Sequence, residues 1–300
     1  MKWQGVFPAV TTPLREDLSI DFDFLPRQLE SMLAAGCRGF VLLGSLGEAA
    51  TMSFEEKGAV LEAGKRALAG RAPLVAGIAA LSTAEAVATA RLAEAKGCDG
   101  LMVLPAYVYR TDARETAAHF SAVIGATRLP CMLYNNPPAY GTDVRPEELL
   151  ALASKHPNLV AVKESSEDVR RVAAIRALMG DRMAIFVGVD DLIVEGVAAG
   201  AVGWVAGLVN ALPAESVRLF DLAAAGRMSE ARALYEWFLP LLRLDVVPKF
   251  VQLIKLVQQE TGTGSERVRP PRLKLEGKER DEALALIRER LAARPREGKA

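Results

Sequence analysis

The chain has 300 residues, of which 51% are hydrophobic, so it is long enough to bury one large core. Its 37 Lys and Arg residues balance its 37 Asp and Glu residues, and the formal net charge is zero. Because neither a basic excess nor interleaved aromatic and basic residues are present, we expect no nucleic-acid partner.

Eight short apolar runs alternate with longer amphipathic segments along the chain. The runs are apolar throughout rather than alternating, which is typical of strands covered by helices on both faces. In chain order they are residues 5–10, 39–43, 73–77, 100–104, 131–134, 159–163, 183–187 and 202–206. The order strand–helix–strand predicts parallel βαβ units.

Helix signals separate these runs. Ser82 with Glu85 three residues later predicts a capping box at the start of a helix over 82–96. Ser53 with Glu56 opens another helix, over 53–68. After the eighth strand the pattern stays helical, over 229–244, 248–261 and 276–293.

Two α/β architectures fit eight such units, an open doubly wound sheet and a closed (β/α)8 TIM barrel. No Gly-x-Gly-x-x-Gly follows the first strand, which favours the barrel. We predict a barrel over 1–225 and a C-terminal helical extension over 226–300. The extension is expected to cover the barrel or to form an oligomer contact.

The cysteines and the hydropathy of the chain indicate in which cellular compartment the protein is expected. The three cysteines form no Cys-x-x-Cys pair, and this sparse, odd set favours reduced thiols in a cytoplasmic protein. No long apolar segment begins the chain and no run of about 20 apolar residues occurs, so neither a signal peptide nor a membrane span is expected. The two histidines, His119 and His156, do not stand at metal-ligand spacing, and we expect no metal site.

Lys163 is the residue most unusual for its position. It follows Val-Ala-Val at the end of the sixth strand, and TIM barrels carry their active sites at the carboxyl ends of strands. Burial without a partner lowers the pKa of a lysine from ~10.4 towards neutrality, and the neutral amine is a nucleophile for carbonyl carbons. The alternative is a lysine paired with a nearby carboxylate, such as Glu164 or Asp190.

Tyr134 ends the neighbouring fifth strand, so its phenol is expected to stand beside Lys163. Schiff-base chemistry needs a group that moves protons on and off the carbinolamine and the adjacent carbon, and a tyrosine linked to other hydroxyls can do this. Ser45 and Tyr107 supply hydroxyls on nearby loops. The alternative is a core aromatic residue with a satisfied hydroxyl.

A glycine-framed turn, Gly-Ser-Leu-Gly-Glu at 44–48, follows the second strand. Its amides at Ser45 and Leu46 are candidates to bind a carboxylate, as successive backbone N–H groups do. An ordinary strand-to-helix loop is the alternative.

Together these motifs resemble the dihydrodipicolinate synthase and N-acetylneuraminate lyase family, from about residue 5 to at least 244. Residues 44–48 resemble its carboxylate-binding loop, and 134–137 (Tyr-Asn-Asn-Pro) resemble its Tyr-Asn-x-Pro. Residues 162–164 (Val-Lys-Glu) resemble its Schiff-base strand, and 188–191 its Gly-x-Asp segment.

The resemblance implies class I chemistry, in which the lysine forms an imine with a 2-oxo acid and no metal or organic cofactor is needed. It also implies that Ser45 relays protons to Tyr134, that Tyr107 is inserted from a neighbouring subunit, and that the protein is a homotetramer. The implied catalytic residues are Lys163, Tyr134, Ser45 and Tyr107, and the implied substrate-binding residues are Ser45, Leu46, Asn136, Gly188 and Val205.

Two departures from the family pattern bear on the substrate. Ala139 stands where the synthase has an arginine that binds the carboxylate of the second substrate, and Leu46 replaces the usual threonine. Loss of that charge-assisted pair costs roughly 1.5–3 kcal/mol, which argues against 4-hydroxy-tetrahydrodipicolinate synthase activity. The motifs look closest to 1-pyrroline-4-hydroxy-2-carboxylate deaminases, which act on a cyclic imine.

Other functions stay open at this point. A 2-keto-3-deoxy sugar-acid aldolase or dehydratase uses the same lysine chemistry. A non-catalytic barrel that binds 2-oxo acids is a different class, as is a metal-dependent class II aldolase, which needs clustered histidine and carboxylate ligands.

Overall fold

The computed structural model describes residues 1–107 and 109–295. Its eight strands are β1 (Gly5–Pro8), β2 (Phe40–Leu42), β3 (Leu74–Ile78), β4 (Gly100–Val103), β5 (Cys131–Asn135), β6 (Leu159–Glu164), β7 (Ala184–Val187) and β8 (Gly203–Ala206). Each overlaps one of the eight predicted strands. All are buried nearly throughout, because helices cover the outer face and packed side chains fill the interior.

The helices in the described residues alternate with these strands and continue beyond them. They are α1 (Phe24–Ala34), α2 (Phe54–Leu68), α3 (Thr83–Ala95), α4 (Ala113–Gly125), α5 (Pro137–Tyr140), α6 (Pro146–Lys155), α7 (Arg170–Met179), α8 (Ile193–Ala198), α9 (Pro213–Ala224), α10 (Met228–Leu242), α11 (Phe250–Thr261) and α12 (Gly277–Ala292). Ser53 and Glu56 form a complete capping box at α2, whereas at α3 the Ser82 side chain accepts a hydrogen bond from the Glu85 amide.

Strand pairing closes the sheet into a barrel. The strands pair in parallel in the order β1-β8-β7-β6-β5-β4-β3-β2. A parallel bridge between Ala9 and Val41 joins the two ends of this order, and the Val10 amide donates to the Val41 carbonyl at 2.9 Å. The predicted (β/α)8 TIM barrel is therefore confirmed, and the open sheet is excluded.

The C-terminal segment carries helix as expected and reaches the end of the barrel where the strands finish. A short 3-10 turn, Arg243–Asp245, follows α10, and α11 lies against the loops that follow the first strands. From α11, the Gln258 side chain accepts a hydrogen bond from the Thr11 hydroxyl at 2.8 Å. Among the described helices, none combines the length and apolarity that a bilayer span requires.

Candidate active site

A cavity of about 560 Å³ opens at the carboxyl ends of the barrel strands. Its size suits a small organic substrate. The structure brings the sequence-predicted site residues into its wall, and these are Ser45, Leu46, Tyr107, Tyr134, Asn136, Lys163, Gly188 and Val205. They come from β2, β4, β5, β6, β7 and β8 or the loops that follow, so the closure of the barrel is what brings them together.

Lys163 stands in this cavity without a bound partner. Its residue is 6% exposed, and its amine forms neither a hydrogen bond nor a salt bridge with another described residue. Both carboxylates proposed as alternatives are engaged elsewhere. Glu164 accepts hydrogen bonds from the Ser166 amide at 2.7 Å and from the Asn135 side chain at 3.1 Å.

Asp190, the other alternative, follows β7 and bonds to β8 and the loop after it. Its carboxylate accepts hydrogen bonds from the Trp204 indole at 2.9 Å and from the Leu208 amide at 2.8 Å. Burial raises the pKa of Asp190 to about 6, although these donors oppose the shift. The carboxylate therefore holds the loop after β8 and does not pair with Lys163.

Burial and nearby charges act in opposite directions on Lys163. Burial lowers the pKa of Lys163 below its usual value, and the negative charges of Asp245 and Asp190 oppose that shift without cancelling it. A lysine that loses its proton near neutral pH becomes a nucleophile for a carbonyl carbon. The position and the environment of Lys163 thus suit imine formation.

Tyr134 lies beside Lys163 on the adjacent strand, because β5 and β6 pair with these two residues in register. The Lys163 amine is 4.1 Å from the centre of the Tyr134 ring. The Asn136 side chain donates a hydrogen bond to the Tyr134 hydroxyl at 2.9 Å. Burial raises the pKa of Tyr134 to about 12, so the phenol keeps its proton and can donate it.

A residue that the sequence analysis did not name, Tyr140, lies next to both ends of the predicted relay from Ser45 to Tyr134. The Ser45 hydroxyl is hydrogen-bonded to the hydroxyl of Tyr140, not to that of Tyr134. The Tyr140 ring lies edge-on to Tyr134 with centroids 5.7 Å apart, and the Tyr107 ring lies on its other side at 5.8 Å. Tyr140 therefore lies between Ser45 and Tyr134.

Local sequence explains how Tyr140 reaches this place. Pro137 begins the short helix α5, and the Asn136 side chain caps it by accepting from the Ala139 amide at 3.0 Å. Gly141 ends the helix at a φ of 70°, a conformation that glycine adopts without strain. One helical turn thus carries Tyr140 back over the cavity, whereas Ala139 lines it with only a methyl group.

The turn at 44–48 presents free backbone donors to the cavity. The amides of Ser45 and Leu46 donate to no other described residue, which leaves them available for a carboxylate. Glu48 ends the turn in the left-handed region, at a φ of 58°. Its buried carboxylate pairs with Lys255 of α11 and accepts from the Arg269 amide at 2.9 Å, which holds the turn in place.

Glycine at 188 makes room for the lysine. A side-chain carbon there would overlap the Lys163 chain and the Ser165 hydroxyl. The glycine after β7 is therefore needed because any larger residue would collide with Lys163.

Two charged cavity residues that lie beyond the barrel strands were missed by the sequence analysis. Asp245 comes from the turn after α10, and Arg272 comes from the segment between α11 and α12. Both are separated by more than 30 residues from the end of β8, so no strand-end rule points to them. Within residues 1–107 and 109–295, no cluster of side chains has the make-up of a metal site.

Comparison with known proteins agrees with the geometry. The model of the dihydrodipicolinate synthetase family matches residues 2–290. The 4-hydroxy-tetrahydrodipicolinate synthase of Xanthomonas campestris pv. campestris is 39% identical over 234 residues, which are 78% of this chain and 77% of that protein. The enzyme of the same name from Geotalea daltonii is 29% identical over 96% of this chain and 98% of its own length.

Solved structures give the same result. The 4-hydroxy-tetrahydrodipicolinate synthase of Methylacidiphilum fumariolicum superposes with a TM-score of 0.90 at 29% identity, covering 97% of both chains. The chloride-inhibited dihydrodipicolinate synthase of Acinetobacter baumannii, solved in complex with pyruvate, has a TM-score of 0.91 at 27% identity. That match covers 96% of this chain and 99% of the other.

Proposed function

Because this chain belongs to the dihydrodipicolinate synthetase family and is a class I Schiff-base lyase, we propose that Lys163 forms an imine with C2 of a 2-oxo acid. One observation carries the proposal. The Lys163 amine is buried at the end of β6, faces the cavity without a partner among the described residues, and stands 4.1 Å from the Tyr134 ring.

The surrounding residues take complementary roles in this proposal. The free amides of Ser45 and Leu46 hold the C1 carboxylate, and Tyr134 donates the proton that lets water leave the carbinolamine. Tyr140 and Ser45 supply the hydroxyl chain behind Tyr134. The protonated imine then withdraws electrons from C3, which permits bond formation or cleavage there.

The first candidate reaction is that of 4-hydroxy-tetrahydrodipicolinate synthase, the condensation of pyruvate with aspartate semialdehyde. The relatives described above carry this name, and they support it over the deaminase interpretation, to which they give no support. The objection from Ala139 is also weaker than the sequence suggested. Arg272 lines the same cavity and forms no salt bridge with a described residue, so it is a candidate to bind the second carboxylate.

The second candidate is 1-pyrroline-4-hydroxy-2-carboxylate deaminase, and Ala139 at the cavity wall is the observation that favours it. In that reaction Lys163 attacks C2 of the cyclic imine and opens the ring. Loss of the 4-hydroxyl as water, addition of one water to release ammonia and hydrolysis of the Lys163 imine by a second water then give 2-oxoglutarate semialdehyde.

A two-substrate assay distinguishes these candidates. Purified protein is supplied with pyruvate and aspartate semialdehyde in one reaction and with the hydroxypyrroline carboxylate in the other, beside a Lys163→Ala control. Pyruvate consumption that requires the aldehyde supports the synthase reaction, whereas ammonia release supports the deaminase. Turnover of neither, with cleavage of a 2-keto-3-deoxy sugar acid instead, contradicts both.

Assembly and compartment complete the proposal. We expect a homotetramer, as is usual in the family, and a cytoplasmic protein with reduced thiols. All three cysteines are buried and free, which is consistent with a reducing compartment. Light scattering of the purified protein tests the tetramer.

A further inference from the structure

Asp245 places a carboxyl group in the active-site cavity from outside the barrel. It ends the 3-10 turn after α10, and its side chain lies directly over the α-carbon of Gly207, just beyond β8. A side-chain carbon at 207 would overlap the carboxyl group, so the glycine makes room for it. Its Oδ1 atom is shielded from solvent and has no hydrogen-bond partner in the described residues.

Burying a carboxyl oxygen without a hydrogen-bond partner destabilises the folded protein, so this arrangement points to a functional role. The Asp190 carboxylate nearby is fully engaged with the loop after β8, and it gives Asp245 no donor. Burial, followed by the charge of Asp190, raises the pKa of Asp245 well above its usual value. The group is therefore able to hold a proton and to donate it.

Asp245 and Tyr134 lie on opposite flanks of Lys163. The sheet order is β5-β6-β7-β8, and Lys163 lies on β6. Tyr134 lies on β5, the neighbouring strand on one side. The Asp245 carboxyl lies over Gly207, which follows β8, the second strand on the other side. No carboxylate oxygen of Asp245 is within salt-bridge distance of the Lys163 amine, and both groups line the same cavity. Substrate atoms attached to the lysine thus have a proton-exchanging group on each side.

We propose that Asp245 is a catalytic residue that exchanges a proton with the substrate oxygen on C4, two carbons beyond the imine carbon. This inference rests on the proposed Schiff-base function and deepens it. Tyr134 serves the chemistry at C2, and Asp245 serves the oxygen on the far side. The substrates or products are accordingly 2-oxo acids, or their cyclic imines, with oxygen at C4.

The proton and electron balance holds in each direction. In condensation, the enamine electron pair forms the C3–C4 bond as the C4 aldehyde oxygen takes the proton from Asp245. In cleavage, the Asp245 carboxylate takes the proton of the 4-hydroxyl, the C4–O double bond forms, and the C3–C4 electron pair moves into the imine. In dehydration, the enamine expels the 4-hydroxyl, which leaves as water with the proton of Asp245.

The test uses an Asp245→Asn variant, which keeps the size of the side chain. It compares the steps at C2 and C3 with the complete reaction, which also requires C4. Borohydride trapping with pyruvate measures imine formation, and loss of the pyruvate methyl protons to deuterium oxide, followed by NMR, measures enamine formation. Neither step involves C4. Turnover is then measured with pyruvate plus aspartate semialdehyde or with the hydroxypyrroline carboxylate, whichever the wild-type protein consumes.

We expect turnover to fall by about 10²-fold or more, as for loss of a general acid–base group, while trapping and exchange stay within about threefold of wild type. Asp181→Asn is the matched control, because Asp181 is an exposed carboxylate that pairs with Arg176 and does not line the cavity, so this variant should keep full turnover. Unchanged turnover in Asp245→Asn overturns the inference. An equal fall in trapping, exchange and turnover also overturns it, since Asp245 would then act on Lys163.

Two further readouts keep the result interpretable. If Asp245→Asn does not fold, as judged by thermal unfolding, Asp245→Ala is assayed with added formate. Rescue of turnover by formate supports a proton-exchanging role, and failure of rescue in a folded variant contradicts it. Absence of pyruvate trapping in the wild-type protein would instead refute the proposed function itself.

Discussion

Two of the buried lysines, Lys163 and Lys255, have opposite surroundings, and Lys255 provides a stability test. Its amine pairs with Glu48, and the two side chains are only 2% and 1% exposed. The amine also donates to the Arg267 carbonyl at 2.7 Å, while the second Glu48 oxygen accepts from the Arg269 amide. This cluster connects α11 and the segment after it to the turn at 44–48.

Glu48→Gln removes the negative charge and leaves a buried ammonium with only neutral oxygen acceptors. Breaking a buried ion pair in this way costs about 3–5 kcal/mol of unfolding free energy. At roughly 2 °C per kcal/mol for a chain of this size, the Tm should fall by about 6–10 °C. Differential scanning calorimetry measures the fall, and urea unfolding checks that it reflects stability.

A second substitution tests the reason for the loss. The double variant Glu48→Gln with Lys255→Met has no unpaired buried charge, so it should be more stable than Glu48→Gln alone. The exposed pair Lys278–Glu282 supplies the control, since Glu282→Gln should cost at most about 1 kcal/mol. A Tm of Glu48→Gln equal to wild type, or a double variant less stable than either single one, would refute the reasoning.

Three further predictions concern the site. Because burial lowers the pKa of Lys163, trapping of pyruvate should increase with pH as the amine loses its proton, with a midpoint below the ~10.4 of an exposed lysine; a midpoint at or above that value is inconsistent with it. Tyr140→Phe keeps the ring but removes the hydroxyl bonded to Ser45, so kcat should fall by about 10²-fold while Tm is retained; an unchanged kcat argues that Tyr140 has no part in the relay. If Arg272 binds the second carboxylate, Arg272→Ala should raise the KM for aspartate semialdehyde by about 10–100-fold and leave that for pyruvate unchanged, with Arg267→Ala as the control.

The barrel was accessible from the sequence because its signals are local and repeated. Each strand is a short run of apolar residues, and helix caps such as Ser53 with Glu56 mark where the chain turns back. The sequence favoured a closed barrel over an open sheet but could not establish it. The bridge that closes the barrel joins Ala9 to Val41, and no local pattern connects these residues. The bounds of individual elements shifted by one or two residues at several ends.

The site residues also differ in whether local sequence or tertiary packing determines their position. Lys163 and Tyr134 end strands, and the parallel register of β5 and β6 places them side by side, so their proximity follows from the fold. Tyr140 could have been anticipated from the Asn-Pro-Pro sequence before it, which caps and starts a helical turn. Asp245 could not, because its place over Gly207 depends on how the segment after α10 packs on the barrel.

The most direct test of the central claim is reductive trapping of the Schiff base. Protein incubated with pyruvate and borohydride is digested, and the modified peptide is identified by mass spectrometry. We predict one adduct, on Lys163, with Lys255 unmodified because its amine is buried in an ion pair, and no adduct in Lys163→Ala. No adduct on Lys163, or full turnover by Lys163→Ala, would contradict the proposed function.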